Sequence, residues 1–134
     1  MTSGALQTLL DSLMAQWESE VVEFKQEDDH YATSDIGKYF SALSNEANLR
    51  GAESAWLVLG VNNKTRTVVG TDYREDTQRL MGLKHQIAQG LEPSTSFKDI
   101  HVLYTQHGRV VLFEIPAAPR GIPIAWQGHC YGRN

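Results

Sequence analysis

The sequence is poor in cysteine, in long apolar runs and in phosphate-binding glycine patterns. Cys130 is its single cysteine, so no disulfide can form within these 134 residues and a cytoplasmic location is expected. No stretch of about 18 apolar residues occurs, so no membrane helix is expected. The first residues lack a basic start followed by an apolar run, so no secretory signal is predicted. Neither standard glycine-rich phosphate-binding pattern occurs.

Patterns that would indicate a zinc site or a serine nucleophile are missing as well. No pair of histidines has a spacing that suits zinc, and one cysteine cannot supply a thiolate cluster. No nucleophile-elbow pattern surrounds a serine. The five histidines are scattered, at His30, His85, His101, His107 and His129.

Charge is unevenly distributed along the chain. Twelve basic and sixteen acidic residues give a net charge of −4, which weighs mildly against a nucleic-acid partner. Residues 1–30 contain seven acids and one base, a net charge of −6, and residues 31–134 contain nine acids and eleven bases, a net charge of +2. The acidity is therefore concentrated at the start, and the remainder can carry a basic surface. Length and composition (41% hydrophobic, 21% charged) predict one soluble globular domain over residues 1–134.

Three segments have apolar residues at helical spacing. Ser3 and Ser34 are predicted to cap the first two helices by accepting hydrogen bonds from early amides, and Gly51 is predicted to end the second. The leading helix, within residues 1–17, is interpreted as core packing, with a dimerisation arm as the alternative. The polar segment 44–48 is assigned to helix termination. The predicted helices span residues 4–17, 35–49 and 74–90.

Strand signals alternate with these helices. The unbroken apolar run at residues 53–61 predicts a central strand covered on both faces. Turn residues at 62–64 and at His107-Gly108 predict two hairpins. The predicted strands span residues 21–25, 53–61, 66–70, 100–106, 109–115 and 126–133.

The segment from Glu18 to Lys25 has the most specific chemistry. As a strand after residue 20, it directs Val22 and Phe24 into a core and Glu23 and Lys25 to the other face. Glu18 and Glu23 are the residues that could hold Mg²⁺ or Mn²⁺ through oxygen ligands, with Lys25 meeting a phosphate. An exposed edge face with a salt bridge is the alternative. Asp28, Asp29 and His30 are adjacent loop residues, which rarely converge on one ion.

Taken together, the elements resemble the Schlafen AlbA-like domain of many bacterial transcriptional regulators. Each matching piece is weak alone, but together they occur in the family's order. Residues 36–45 resemble its helix and residues 111–116 its penultimate strand, while Pro123 resembles its late proline. The remaining matches are Glu18-Ser19-x-x-x-Glu23-Phe24-Lys25, Trp56-Leu57-Val58-Leu59-Gly60-Val61-Asn62-Asn63, Val69-Gly70 and Tyr131-Gly132-Arg133.

The resemblance implies an α+β fold, with an AlbA-like mixed or antiparallel sheet of about five or six strands packed with three helices. It also implies that the chain is the N-terminal part of a longer protein. Two departures stand out. The family often has Gly-Gly where this chain has Gly51-Ala52-Glu53. Eukaryotic Schlafen relatives are RNA endonucleases whose site resembles Glu18, Glu23 and a third acid near position 62. This chain has Asn62 there, and an amide binds a hard cation more weakly than a carboxylate.

Three functions follow as hypotheses. The first is a nucleic-acid-binding domain of a transcriptional regulator, non-catalytic by itself, taking DNA or RNA. The second is a metal-dependent endoribonuclease using Glu18, Glu23 and Lys25 with Mg²⁺ or Mn²⁺. The third is a dimerisation domain that forms a homodimer. The basic residues expected to contact nucleic acid are Lys25, Lys38, Arg50, Arg79, Lys84, Arg109, Arg120 and Arg133.

Overall fold

The structure, a computed structural model, describes residues 1–16 and 21–133. This part of the chain forms three helices and nine short strands. In chain order they are α1 (Ser3–Ala15), β1 (Val22–Lys25), α2 (Thr33–Arg50), β2 (Ser54–Leu59), β3 (Val61–Asn62), β4 (Thr67–Val68), α3 (Thr77–Gly90), β5 (Leu91–Glu92), β6 (Asp99–Thr105), β7 (Gly108–Pro116), β8 (Ala125–Trp126) and β9 (His129–Cys130). None of the three described helices is long and apolar enough to cross a membrane.

A four-stranded mixed sheet organises the fold, with strand order β1-β2-β7-β6. β1 pairs in parallel with β2, whereas the pairs β2–β7 and β6–β7 are antiparallel. β2 and β7 occupy the centre because they are apolar on both faces, as the run at residues 53–61 predicted. β1 is an edge strand, so its polar side chains can reach solvent.

Each face of this sheet covers its own core. On one face α2 and α3 pack over residues such as Leu57, Leu59 and Phe113. On the other face, α1 packs over Phe24 and Val58. The apolar stripe of α1 is therefore buried against its own chain, as the core-packing interpretation predicted.

Two predicted helix caps are wrong. Thr2, and not Ser3, caps α1, since its side chain accepts from the amide of Ala5 at 3.1 Å. α2 begins at Thr33, so Ser34 lies within the first turn, and the capping residue Ala32 makes no side-chain cap bond. The C-terminal prediction is confirmed: Gly51 has φ 70° and donates its amide to α2 carbonyls.

α3 begins three residues later than predicted, for a backbone reason. Arg74 has φ 42°, a left-handed conformation that a right-handed helix cannot include. The helix begins only after Asp76, whose carboxylate accepts from the amide of Arg79 at 3.1 Å. The chain between Gly70 and Asp76 is consequently a loop that crosses the end of the sheet.

Short accessory sheets account for the remaining strands. β2 ends where Gly60 takes φ 102°, and β3 then forms the predicted hairpin with β4 as a separate two-stranded sheet. The strand predicted at residues 126–133 is instead two short strands, β8 and β9, in a three-stranded sheet with β5. The α+β class with three helices is confirmed, and the strands are divided among a main sheet and two smaller ones.

Candidate functional site

β1 positions Glu23 and Lys25 on the face of the sheet that α2 covers. Val22 and Phe24 are buried against α1, Phe24 being 2% exposed. Glu23 and Lys25 alternate with them and pair with Leu57 and Leu59 of β2, which belong to the α2 side. The predicted alternation is therefore confirmed. Because β1 is the edge strand, both charged groups sit at the border between the sheet and α2.

Glu23 is ion-paired with a residue from the other end of the domain. The Arg133 Nη2 lies 2.8 Å from the Glu23 Oε2, and both side chains are largely buried. A charge-assisted hydrogen bond of this length is among the stronger polar contacts in proteins. The contact attaches the C-terminal segment to β1 and neutralises the carboxylate that the sequence predicts as a metal ligand.

Lys25 lies beside an aromatic ring from α2. Its Nζ is 5.6 Å from the centroid of the Tyr39 ring, within the range of a cation–π contact. The same Nζ is 3.9 Å from the Glu27 Oε1, a loose ion pair with both side chains partly exposed. Neither contact encloses the ammonium group, so Lys25 can still meet a ligand from solvent.

A small cavity of about 300 Å³ opens next to these groups. Tyr39 and Tyr131 supply its aromatic walls, and the exposed Lys38 stands at its border. Asp35, Ala42 and Gly132 complete the lining. Lys25 and Arg133 lie next to this cavity. With Lys38 and the two tyrosines of the lining, they form a region of three cations and two tyrosines. We call Lys25, Lys38, Tyr39, Tyr131 and Arg133 the β1–α2 patch.

Tyr31 lies under the same region. Its hydroxyl is buried and has no hydrogen-bond partner among the described residues. Burial raises the pKa of Tyr31 far above its ordinary value, and the nearby Tyr39 and Glu27 raise it further. The phenol therefore stays neutral at physiological pH and supports the ring of Tyr73, which it meets edge to face at 6.4 Å.

Two polar side chains of α2 hold the C-terminal segment in place. The Asn45 side chain accepts from the amide of Ile124 at 2.7 Å and donates to the carbonyls of Ile124 and Tyr131 at 3.0 Å. Ser41 accepts from the amide of Tyr131 at 2.9 Å and donates to the Ile124 carbonyl at 2.8 Å. These bonds position Tyr131 in the β1–α2 patch. Asn45 therefore does more than terminate a helix, and its spacing of four residues from Ser41 was the available signal.

The Asn62 side chain makes hydrogen bonds within the β3–β4 turn. Its Oδ1 accepts from the amides of Lys64 and Thr65 at 2.9 and 3.0 Å, and its Nδ2 donates to Gln26 at 3.1 Å. Gln26 directly follows β1, so Asn62 lies beyond the end of that strand. Glu18 lies outside the described residues.

The described residues do not offer a divalent metal a ligand set. Within residues 1–16 and 21–133, no three His, Cys, Asp or Glu side chains are grouped so as to hold an ion. Of the predicted pair, Glu23 has its carboxylate on Arg133. The described donors alone therefore supply no ligand set for Mg²⁺ or Mn²⁺, and the metal pair of Glu18 and Glu23 stays a prediction.

Other basic residues that the sequence proposes for nucleic acid have different surroundings. Arg109 is only 7% exposed, and its guanidinium donates to the carbonyls of residues 71, 73 and 74 at 2.7–3.2 Å. Arg79 donates to both Asp29 oxygens at 3.0 Å, and Lys84 is 3.4 Å from Asp99. Arg50 lies at the end of α2 and Arg120 in an exposed turn. None of these five side chains lines the cavity beside Tyr39.

The order and geometry of these elements agree with one known family. The sequence model described as Schlafen, AlbA_2 matches residues 18–134. The chain belongs to this Schlafen AlbA_2 family. The match covers β1, the β1–α2 patch and the C-terminal segment, and it confirms the resemblance drawn from the sequence motifs. A search of curated proteins finds no match.

Two solved structures share the fold of this Schlafen AlbA_2 domain. One is the solution structure of the N-terminal domain of a protein from Nitrosomonas europaea. That protein is described as related to the ATP-dependent DNA helicase RecG. The structure has a TM-score of 0.60 at 21% identity, covering 95% of this chain and 86% of that one. The other is the DIP2311 protein from Corynebacterium diphtheriae, with a TM-score of 0.58 at 17% identity over 92% of this chain. This chain spans 24% of the Corynebacterium chain.

Proposed function

We propose that this Schlafen AlbA_2 domain binds nucleic acid through the β1–α2 patch and is non-catalytic by itself. The observation that supports this most is the grouping of Lys25, Lys38 and Arg133 around Tyr39 and Tyr131. The Lys25 contact to Tyr39, the shared cavity and the Arg133 bond to Glu23 link all five residues at one border of the sheet.

The patch combines the two features that a nucleic-acid strand needs. Lysine and arginine side chains supply phosphate contacts, which dominate affinity. Tyrosine rings supply surfaces on which bases can stack. The carboxylates of Glu23, Glu27 and Asp35 lie among these cations and reduce the positive electrostatic potential of the patch. We therefore expect binding that is weak and sensitive to salt. This matches a chain whose net charge is −4.

The relatives support the same assignment at the level of fold and family. The Nitrosomonas protein is described as related to a DNA helicase, and its N-terminal domain has this fold. A module of a longer transcriptional regulator is our finer proposal, in line with the larger Corynebacterium chain. Homodimer formation and a cytoplasmic location stay predictions. Catalytic roles for Glu18, Glu23 and Lys25 belong only to the alternative function, a metal-dependent endoribonuclease.

Fluorescence anisotropy on labelled single-stranded RNA, single-stranded DNA and duplex DNA tests the proposal. With about three phosphates contacted, the logarithm of affinity should fall with the logarithm of salt concentration at a slope of about −2 to −3. Lys25→Ala and Lys38→Ala should each weaken binding and reduce that slope by about 1.

Lys84→Ala is the matched control, because Lys84 on α3 is paired with Asp99 of β6 and lies outside the patch. It should leave affinity and slope unchanged. Absence of binding to every nucleic acid at low salt would refute the proposal. Equal losses in Lys38→Ala and Lys84→Ala would refute the assignment to the β1–α2 patch.

A further inference from the structure

A second groove, of about 700 Å³, lies where α1, the β3–β4 hairpin and the β6–β7 turn meet. It shares no residue with the β1–α2 patch. Its size falls within the range of about 300–1,000 Å³ typical of small-molecule sites. Side chains along it include Gln7, Asp11, Arg66, Tyr104 and His107.

Tyr104 gives the groove an aromatic wall that the core does not require. It lies near the end of β6 and is 75% exposed. The adjoining turn is fixed, because the Thr105 hydroxyl donates to the Gly108 carbonyl at 2.8 Å and accepts from the His107 amide at 3.1 Å. The ring is thus an open platform on a rigid hairpin.

Polar groups on the other walls are also held in place. The Arg66 guanidinium lies 4.6 Å over the Phe24 ring and donates to the carbonyls of Gln16 and Asn63 at 3.0 Å. On α1, the Gln7 amide donates to the Asp11 carboxylate at 2.9 Å. The described lining of the groove therefore presents one guanidinium, one carboxylate and two side-chain amides, from Gln7 and Gln106, near an exposed ring.

We propose that this groove binds one unpaired base of a single-stranded nucleic acid. Among the described residues that line the groove, one carboxylate and one guanidinium carry opposite charges, which suits an uncharged base better than a run of phosphates. The Tyr104 ring stacks on the base, as aromatic side chains do in single-strand binders. Asp11 accepts from an exocyclic amino group, the role that carboxylates take toward cytosine. A base inside a duplex is already stacked and paired, so it cannot enter.

This inference rests on the proposed function, and the variants separate the two. Tyr104→Ala should weaken single-strand binding about five- to hundredfold, the range for losing one stacked base, and should leave duplex binding unchanged. Tyr104→Phe retains the ring and should retain affinity. Lys38→Ala, in the β1–α2 patch, should weaken both. Leu49→Ala, which alters another highly exposed apolar side chain, should change neither.

Photocrosslinking identifies the contact directly. A short single strand carrying 5-iodocytosine, which keeps the exocyclic amino group, is irradiated with the full chain. The tryptic peptide of residues 99–109 and the peptides that contain Tyr39 and Tyr131 are then analysed by mass spectrometry. An adduct on Tyr104 supports the inference. Adducts only on Tyr39 or Tyr131, with Tyr104→Ala binding as tightly as the unmodified chain, overturn it and leave the proposed function standing. Failure of every nucleic acid to bind overturns both.

Discussion

The Arg133 guanidinium lies 2.8 Å from the Glu23 carboxylate, joining the last described residue of the chain to the edge strand of the main sheet. The pair spans 110 positions of sequence. It closes the C-terminal segment over α2 and places a cation beside Tyr131. It also gives Glu23 a partner other than a metal ion.

Glu23→Gln should strengthen nucleic-acid binding. The substitution removes one negative charge from the β1–α2 patch and leaves a side chain that can still accept from Arg133. Relief of one surface charge repulsion, about 0.6 kcal/mol, corresponds to about threefold in affinity. Anisotropy titration at low salt measures this, with Glu75→Gln, an exposed acid outside the patch, as the control. Weaker binding by Glu23→Gln would contradict this prediction and show that the charged pair with Arg133 is needed to hold the β1–α2 patch.

Arg109→Met should destabilise the fold by about 2–4 kcal/mol, because the substitution leaves carbonyls of the residue 71–74 loop without their donor. Arg120→Met, at an exposed turn, should change stability by no more than about 0.5 kcal/mol. Urea unfolding followed by tryptophan fluorescence measures both. Wild-type stability in Arg109→Met, together with weaker nucleic-acid binding, would contradict the structural role and show that Arg109 contacts nucleic acid.

Gly37→Ala should destabilise the domain, by about 1–3 kcal/mol for an overpacked core. A Cβ at Gly37 would lie 2.2 Å from the Trp126 ring, and a Cβ at Gly90 would lie 2.3 Å from the same ring. Trp126 therefore fits between α2 and α3 only because both positions lack a side chain. Gly82→Ala, inside α3 with nothing within 4 Å of its Cβ, should stabilise by up to about 1 kcal/mol. Thermal unfolding of the two variants tests this, and an unaffected Gly37→Ala would contradict the packing.

Ionised Asp29 should contribute to the stability of the fold, and this contribution should be lost at low pH. The amide of Arg74, followed by the Arg79 guanidinium, holds the pKa of Asp29 below its ordinary value of 3.8. A folded-state pKa below the unfolded one contributes stability that is present above pH 3.8 and is lost as pH falls through the folded value. Asp29→Asn should remove this contribution. Urea midpoints measured from neutral pH down to acid should decline less steeply in Asp29→Asn, and parallel curves would contradict it.

Local patterns in the sequence sufficed for much of the fold. The alternation in β1, the αL position at Gly51 and the hairpin at His107-Gly108 each depend on neighbouring residues. They were predictable because strand period, left-handed φ and turn chemistry act over a few residues. The resemblance to the Schlafen AlbA-like domain added the arrangement of these elements, a mixed or antiparallel sheet packed with three helices.

Contacts between distant segments could not be predicted in the same way. Asn45 binds residues 79 and 86 positions away, and nothing local indicates those partners. The charge of Arg109 suggested a residue that can contact phosphate. Both faces of β7 are covered, however, so the alternation of side chains along this strand does not expose Arg109 to solvent. The sequence therefore named the three cations of the patch, Lys25, Lys38 and Arg133, but it did not indicate the contacts of α2 that bring the C-terminal segment to β1.

The most direct test of the central claim is an amide NMR titration of the full chain with a single-stranded oligonucleotide at low salt. Binding through the β1–α2 patch predicts marked shift changes at Lys25, Lys38, Tyr39, Tyr131 and Arg133, all reversed by added salt, whether or not residues around Tyr104 also shift. Shift changes confined to α3 and the residue 71–76 loop, or no changes at all, would contradict it.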